Sequence, residues 1–209
     1  MYVCDNLTMR RTADEAAATR KALLHAALEV FAERGFNGAS LADITARAGV
    51  TRGAAYHHFR DKSALYLSTL SELWDEATGR IWAELEGDAP PADRLRAFLV
   101  RFITEMEADP VVRRLLSVTI LANEAVPVHD TGMADKRAAT KEQTARLTTL
   151  FAESGLPLRP GVAPETAALT VISALNGVAI TWLMDQSLFS PAAQAPTLAG
   201  TIVYGIAGA

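Results

Sequence analysis

The sequence predicts an all-α protein, with a small three-helix N-terminal head followed by a larger helical body. Apolar residues recur at spacings of three and four along most of the 209 residues, and no segment alternates apolar and polar as a half-buried strand does. Charge is divided unevenly. Residues 1–66 carry nine Lys/Arg against seven Asp/Glu, while residues 67–209 carry eleven against seventeen, so the head is net positive inside a chain of net charge −4. This is the distribution of a phosphate-binding head on an acidic body, and it sets the expected domains at 1–66 and 67–209.

The elements follow in order. Thr12 with Glu15 forms a capping box opening a first helix, whose apolar face carries Leu23, Leu24, Ala27, Leu28 and Phe31 and which Gly35 stops. Ser40 with Asp43 repeats the cap before Leu41, Ile44 and Ala48, and Gly49 ends that helix after about two turns. Thr51 caps a third short helix. From Asp61 a long helix runs towards Glu86, with Tyr66, Leu70, Trp74, Ala77, Ile81 and Leu85 along one side, until Gly87 to Pro91 breaks it. A further helix carries Leu95, Phe98, Leu99, Phe102, Ile103 and Met106. Asp109-Pro110 supplies the N-cap and first-turn proline of the next, through Leu115, Leu116 and Ile120. Val126 to Met133 reads as loop, Lys136 to Ser154 as helix, Gly155 to Pro164 as connector and Glu165 to Met184 as an apolar helix, and Ser190-Pro191 opens the last. The total is about nine helices, with no internal repeat.

Half the residues are hydrophobic, enough to bury a core without staples, and the single cysteine, Cys4, excludes an intrachain disulfide. The N-terminus lacks the apolar stretch of a signal peptide, so a cytoplasmic location is expected. Thr166 to Met184 carries no charge and is nearly long enough to cross a bilayer. Its threonines, Ser173, Asn176 and Gly177 dilute it, and no basic or aromatic flank anchors it, so it reads as a helix buried inside a soluble oligomer rather than in a membrane.

Two short helices joined by Ala48-Gly49-Val50-Thr51 have the form of a helix-turn-helix over residues 40–62, whose second helix lies in the major groove. That helix, Thr51 to Phe59, sets small Gly53 and Ala54 between longer polar groups, allowing close approach to DNA. Arg52 and Tyr56 lie one turn apart and face outward together. Arg52 has the fork that pairs with a guanine edge, whereas Tyr56, His57 and His58 can donate to phosphate. Lys62 adds a cation at the first turn of the long helix. The Thr51 hydroxyl caps the helix, touches phosphate, or does both.

Residues 23–65 then resemble the N-terminal domain of the TetR/AcrR family of transcriptional repressors. The shared positions are Leu23, Leu24, Ala26, Ala27, Phe31, Gly35 and Phe36, then Ser40, Leu41, Ile44, Ala48, Gly49, Val50, Thr51, Gly53, Tyr56, His58, Phe59, Lys62 and Leu65. The resemblance implies a homodimer on a palindromic operator, with phosphate contacts at Ser40, Tyr56, His58 and Lys62 and base contacts at Arg52 and Gly53. Thr45 stands where a small apolar residue is common and Ala55 where a larger aliphatic is common, which opens a DNA contact from Thr45 or Arg47. Met9 begins a run resembling a more usual start for this family, so translation starts at Met1 or at Met9, residues 1–8 being an upstream extension in the second case, and Arg10 and Arg11 read as a basic arm or a disordered tail.

The body resembles the family in layout, and Asp109–Glu124 and Asn176 to Trp182 are similar to its acriflavine-type, multidrug-responsive branch. Trp74, Phe98, Phe102, Leu116, Ile120 and Trp182 form a candidate lining for a small apolar inducer, with Glu124 or Asn176 orienting it. For any one of them core is the more usual role, since aromatic residues at helical spacing are mostly packing. The uncharged helix 166–184 has more apolar perimeter than one domain covers, so dimerisation is expected through it and the 136–154 helix, by Leu147, Leu150 and Phe151. The two heads would then stand about 34–36 Å apart, one DNA turn. A ligand preferring a conformation with the wrong spacing would release DNA, the long helix acting as lever.

No phosphate-binding glycine loop, Gly-x-Ser-x-Gly elbow or His/Cys set at metal spacing appears, so neither an enzyme nor a metal or other cofactor is expected. His25 lies at a helix edge and His129 in a loop. An enzyme would fail to shift the DNA upstream of its own coding region; the alternative reading, a helical small-molecule-binding or membrane-associated protein without DNA binding, is separated by partition between cytosol and membrane.

Overall fold

A computed structural model of the chain describes the backbone of residues 3–121 and 131–208, and side chains over 13–120 and 141–208. Among these residues there are nine α-helices and no strand. They are α1 (Val3–Gly38), α2 (Leu41–Ala48), α3 (Arg52–His58), α4 (Lys62–Trp82), α5 (Pro91–Ala108), α6 (Pro110–Leu116), α7 (Thr131–Glu153), α8 (Pro164–Met184) and α9 (Pro191–Ile206). A 3₁₀ turn (Ala83–Leu85) follows α4, and a π-helical turn (Ser117–Leu121) follows α6.

The caps predicted at Ser40, Thr51, Asp109 and Ser190 are in place. The Ser40 hydroxyl accepts from Asp43 N and the Asp43 side chain accepts from Ser40 N, which is the full capping box. Thr51 accepts from Ala54 N, Asp109 from Val111 N and Ser190 from Ala193 N. Two helix starts differ, and one of them is α7, which begins at Thr131 rather than at Lys136, so the expected loop to Met133 is shorter. The helix expected to open at Thr12 already runs from Val3, because nothing between Val3 and Thr12 is a proline or glycine and an alanine-rich stretch follows. The stop at Gly35 does occur, as a residue with φ 67° and ψ 174° that interrupts helical geometry before Phe36.

The described chain divides into two compact units, the first ending within α4 at Asp75. In the first, α1 packs on α2 and α3, and α2 on α3. Leu23, Ala27, Leu28, Phe31, Ile44, Phe59, Leu65 and Leu73 are buried there. Phe31, Phe36 and Tyr66 pack edge to face and stacked, with centroids 5.0, 5.1 and 6.0 Å apart. Thr69 and Leu73 of α4 are buried, which explains why this unit reaches beyond residue 66.

In the second unit α5 is central, touching α6, α8 and α9. It buries Leu95, Phe98, Leu99, Ile103 and Met106, a stripe of spacing three and four. Each such side chain contributes about 1.5–3 kcal/mol on removal from water. Glu107 fastens α9 to α5 by accepting from Ser190 Oγ at 2.7 Å and Ala192 N at 2.9 Å. The Ala192 N–H, then the Ser190 hydroxyl, hold its carboxyl below the usual value.

Candidate nucleic-acid interface

The turn between α2 and α3 depends on Gly49, whose φ of 68° and ψ of 27° are left-handed and would strain any side chain. Its N–H closes α2 on the Ala46 and Thr45 carbonyls. Val50 and Thr51 lead into α3, a seven-residue helix with one buried side and one open side. Ala55 is 0% exposed, so the small residue where a larger aliphatic is common lies inside the head. Thr51, Arg52, Gly53, Tyr56 and His57 are exposed, and Tyr56 keeps 60% of its surface accessible. A tyrosine so exposed beside an arginine makes this the head's outward polar face.

Gly53 meets no steric demand from within. A Cβ built there would find only Thr51 Oγ1, at 3.8 Å, which is ordinary contact. His58 is half-buried beside His57, ring centroids 5.4 Å apart, and Phe59. Burial first, then His57 and Arg20, pushes its imidazole below the usual range.

The remaining predicted residues have partners inside the head. The Ser40 hydroxyl is committed to Asp43, whose carboxyl that hydroxyl lowers. The DNA contact opened for Thr45 is corrected: it is 4% exposed and its hydroxyl donates to Ala42 O, because this position of α2 turns inward. Arg47 is turned to α1. Its Nη1 lies 3.0 Å from Glu29 Oε2, and its Nη2 lies 2.8 Å from Glu33 Oε2. Lys62 is drawn inward too, its ammonium donating to Phe36 O at 2.7 Å and Ala39 O at 2.8 Å above the Phe36 ring. The Phe36 carbonyl lies in the last turn of α1 and that of Ala39 between α1 and α2, where carbonyls run out of helical donors, and the first residue of α4 supplies a donor to each. Two cations absent from the predicted set also flank α3. Arg60 has an 88% exposed side chain paired with Asp61, and Arg20 reaches α3 from α1. Arg60 was findable as a cation just past the helix; Arg20 offered no local signal.

The profile for bacterial regulatory proteins of the tetR family matches residues 23–69, the segment just described. A transcriptional repressor of Brucella suis biovar 1, BepR, is 30% identical over 95% of this chain and 96% of its own. The chain belongs to the TetR family. The transcriptional regulator TtgR of Pseudomonas putida is likewise 30% identical, over 84% of this chain and 85% of its own. The solved structure of NalD, secondary repressor of a multidrug efflux pump in Pseudomonas aeruginosa, superimposes with a TM-score of 0.76 at 27% identity, covering 93% of this chain and 98% of that one. The family fold, a helix-turn-helix head and a helical body, is thus the fold of this chain.

The predicted ligand residues of this TetR-family chain fall in both units. Phe98, Leu116 and Trp182 are buried in the second unit, and Phe102 and Ile120 half-buried. Trp74 belongs to the first unit. Asn176 is exposed on α8, where Leu175 and Ala179 take the buried side, so its amide points away from the unit's core. Glu124 lies outside the described residues. Trp82, absent from the predicted set, packs on Phe98 with centroids 5.1 Å apart, under the Arg146 guanidinium at 4.2 Å.

Proposed function

We propose that the chain is a cytoplasmic, homodimeric repressor that binds a palindromic operator and releases it on taking up a small apolar molecule. The outward face of α3 carries this reading: Arg52 beside an exposed glycine and a 60% exposed tyrosine, on a helix whose opposite side is anchored in the head. Arg52 reads a base edge and Gly53 lets α3 approach the bases closely, while Tyr56, His57, His58 and Thr51 meet phosphates, joined by Arg60. Ser40 and Lys62 reach phosphate only with the donor capacity their internal partners leave. Arg47 serves the α1–α2 contact instead.

The dimer reading rests on α8 and α9. Among the described residues α8 is the one helix long and apolar enough to cross a membrane. It buries Ala167, Ala168, Val171, Leu175, Ala179 and Trp182 and presents an outward stripe of Leu169, Ser173, Asn176, Gly177, Ile180 and Met184. Polar groups punctuate that stripe, which suits a partner helix better than lipid. α9 contains no charged side chain and exposes Thr197, Thr201 and Tyr204. The predicted contribution of α7 changes: Leu147 and Phe151 are buried within their own chain and are not free to meet a second. No enzymatic role is proposed, and the family's relatives named above are regulators.

Selection of duplexes from a random-sequence pool by the full-length chain tests this reading, with sedimentation of the free and bound protein. The expected product is an inverted repeat bound by a dimer. Enrichment of no sequence would overturn the DNA-binding reading, and a monomer on a single half-site would overturn the dimer. Thermal-shift screening with apolar drug-like compounds, followed by release of the selected duplex, tests the inducer.

A further inference from the structure

The recognition helix α3 is too short to hold its own direction. From Arg52 to His58 it spans about 9 Å at 1.5 Å per residue. Moving one end sideways by about 2 Å tilts it by roughly 12°, within the 10–20° range at which a placed functional group loses its geometry. Its first turn is tied down by the Thr51 cap. Its other end is held by a residue 38 positions away in sequence.

That residue is Arg20 of α1. Its Nη1 donates to the His58 carbonyl oxygen at 3.5 Å, and its guanidinium lies 4.5 Å from the centroid of the Phe59 ring, the C-cap residue of α3. The same guanidinium forks onto Glu72 of α4, with Nε 3.3 Å from Oε2 and Nη2 on Oε1. Three helices therefore meet at one planar cation. Both partners remain partly exposed, at 33% and 43% of their side chains. Ion pairs so exposed contribute little to folding stability. What a bidentate fork does supply is direction, because two N–H bonds to one carboxylate fix the plane of the guanidinium.

We propose that Arg20 is a positioning residue for DNA recognition, setting the tilt of α3 against α1 and passing to it, through Glu72, any displacement of α4. The proposal rests on the reading of α3 as the DNA-reading helix. It gives α4 a defined point of attachment to that helix, and it uses no contact between Arg20 and DNA.

The test uses full-length protein and a duplex selected by the wild type. Arg20→Ala is expected to weaken binding to that duplex by tenfold or more, while binding to a random-sequence duplex stays within twofold and the thermal midpoint moves little. Arg20→Lys keeps a charge without the fork and recovers only part of the loss. Glu72→Gln is expected to weaken selected binding in the wild-type background but to add less than twofold to Arg20→Ala. The His58 ring, followed by proton NMR, titrates at higher pH once the Arg20 charge is gone. Should Arg20→Ala prove unfolded, Arg20→Lys and Glu72→Gln decide by the same ratio of selected to random affinity. The proposal is overturned if the folded variants bind the selected duplex as the wild type does, or lose selected and random binding equally. If the wild type selects no sequence, the DNA-reading role of α3 fails first, and the proposal falls with it.

Discussion

The Lys62 ammonium donates to the backbone carbonyl of Phe36 at 2.7 Å and stands 4.3 Å from the centroid of that residue's ring. With its second bond to Ala39 O, it closes the head across the turn leading into α2. Lys62→Ala should therefore destabilise the chain by about 1.5–3 kcal/mol, the range for hydrogen bonds to a charged group. Urea denaturation measures this, and an unchanged midpoint would return Lys62 to a purely phosphate-facing role.

Gly53 gives the opposite expectation. Since an added Cβ meets only Thr51 Oγ1 at 3.8 Å, Gly53→Ala should fold normally and gain about 0.5–1 kcal/mol from helix propensity. Affinity for the selected duplex should nevertheless fall, because the added methyl enlarges the surface set against DNA. Unfolding and anisotropy titrations on one sample separate the effects, and undiminished binding would show that DNA does not approach this glycine.

Arg52 and Arg47 lie five residues apart yet face different partners. Arg52→Ala should relax preference at one base pair of each half-site by about 1–3 kcal/mol. Arg47→Ala removes the fork to Glu29 and Glu33 and should leave sequence preference unaltered. Selection profiles compare them, and identical losses would remove the distinction drawn from the geometry.

Leu169 on α8 keeps 60% of its surface exposed in the single chain. Leu169→Asp should leave helix content intact, shift the sedimenting species from dimer to monomer, and weaken operator binding through loss of the second head. A stable dimer in this variant would place the interface elsewhere.

His58 makes stability depend on pH. Its imidazole is held below the usual value of 6.5, first by burial, so the unfolded chain takes up the proton more readily than the folded one. Above pH 6.5 this costs nothing, because both states are neutral. As pH falls from 6.5 through the lowered folded value, stability is progressively lost. The urea midpoint measured from pH 7.5 downward should show this slope in the wild type and a shallower one in His58→Gln. Equal slopes would assign it to other groups.

Most of the fold was legible because its signals are local. The capping hydroxyls of Ser40, Thr51 and Ser190, and the Asp109 carboxylate, find their partners within three residues, and the apolar stripe of α5 repeats within each turn. The helix-turn-helix was legible for the same reason: Gly49 and the short helices around it are neighbours in the chain. The ligand residues were not, since aromatic side chains at helical spacing are alike in a core and a pocket, and burial separates them only after folding.

By itself, then, the sequence determined the helices, their caps, the turn at Gly49 and the residue types offered on α3, because these depend on φ/ψ preferences and side chains a few bonds apart. Tertiary structure alone decided what each long cation does. Arg47 turns to Glu29 and Glu33, Lys62 to the Phe36 and Ala39 carbonyls, and Arg20 to Glu72 and the end of α3, while Arg52 stays open. The reason is physical. A flexible charged side chain has no preferred partner in sequence, and the packing of α1, α2, α3 and α4 determines which carboxylate or unpaired carbonyl comes within its reach.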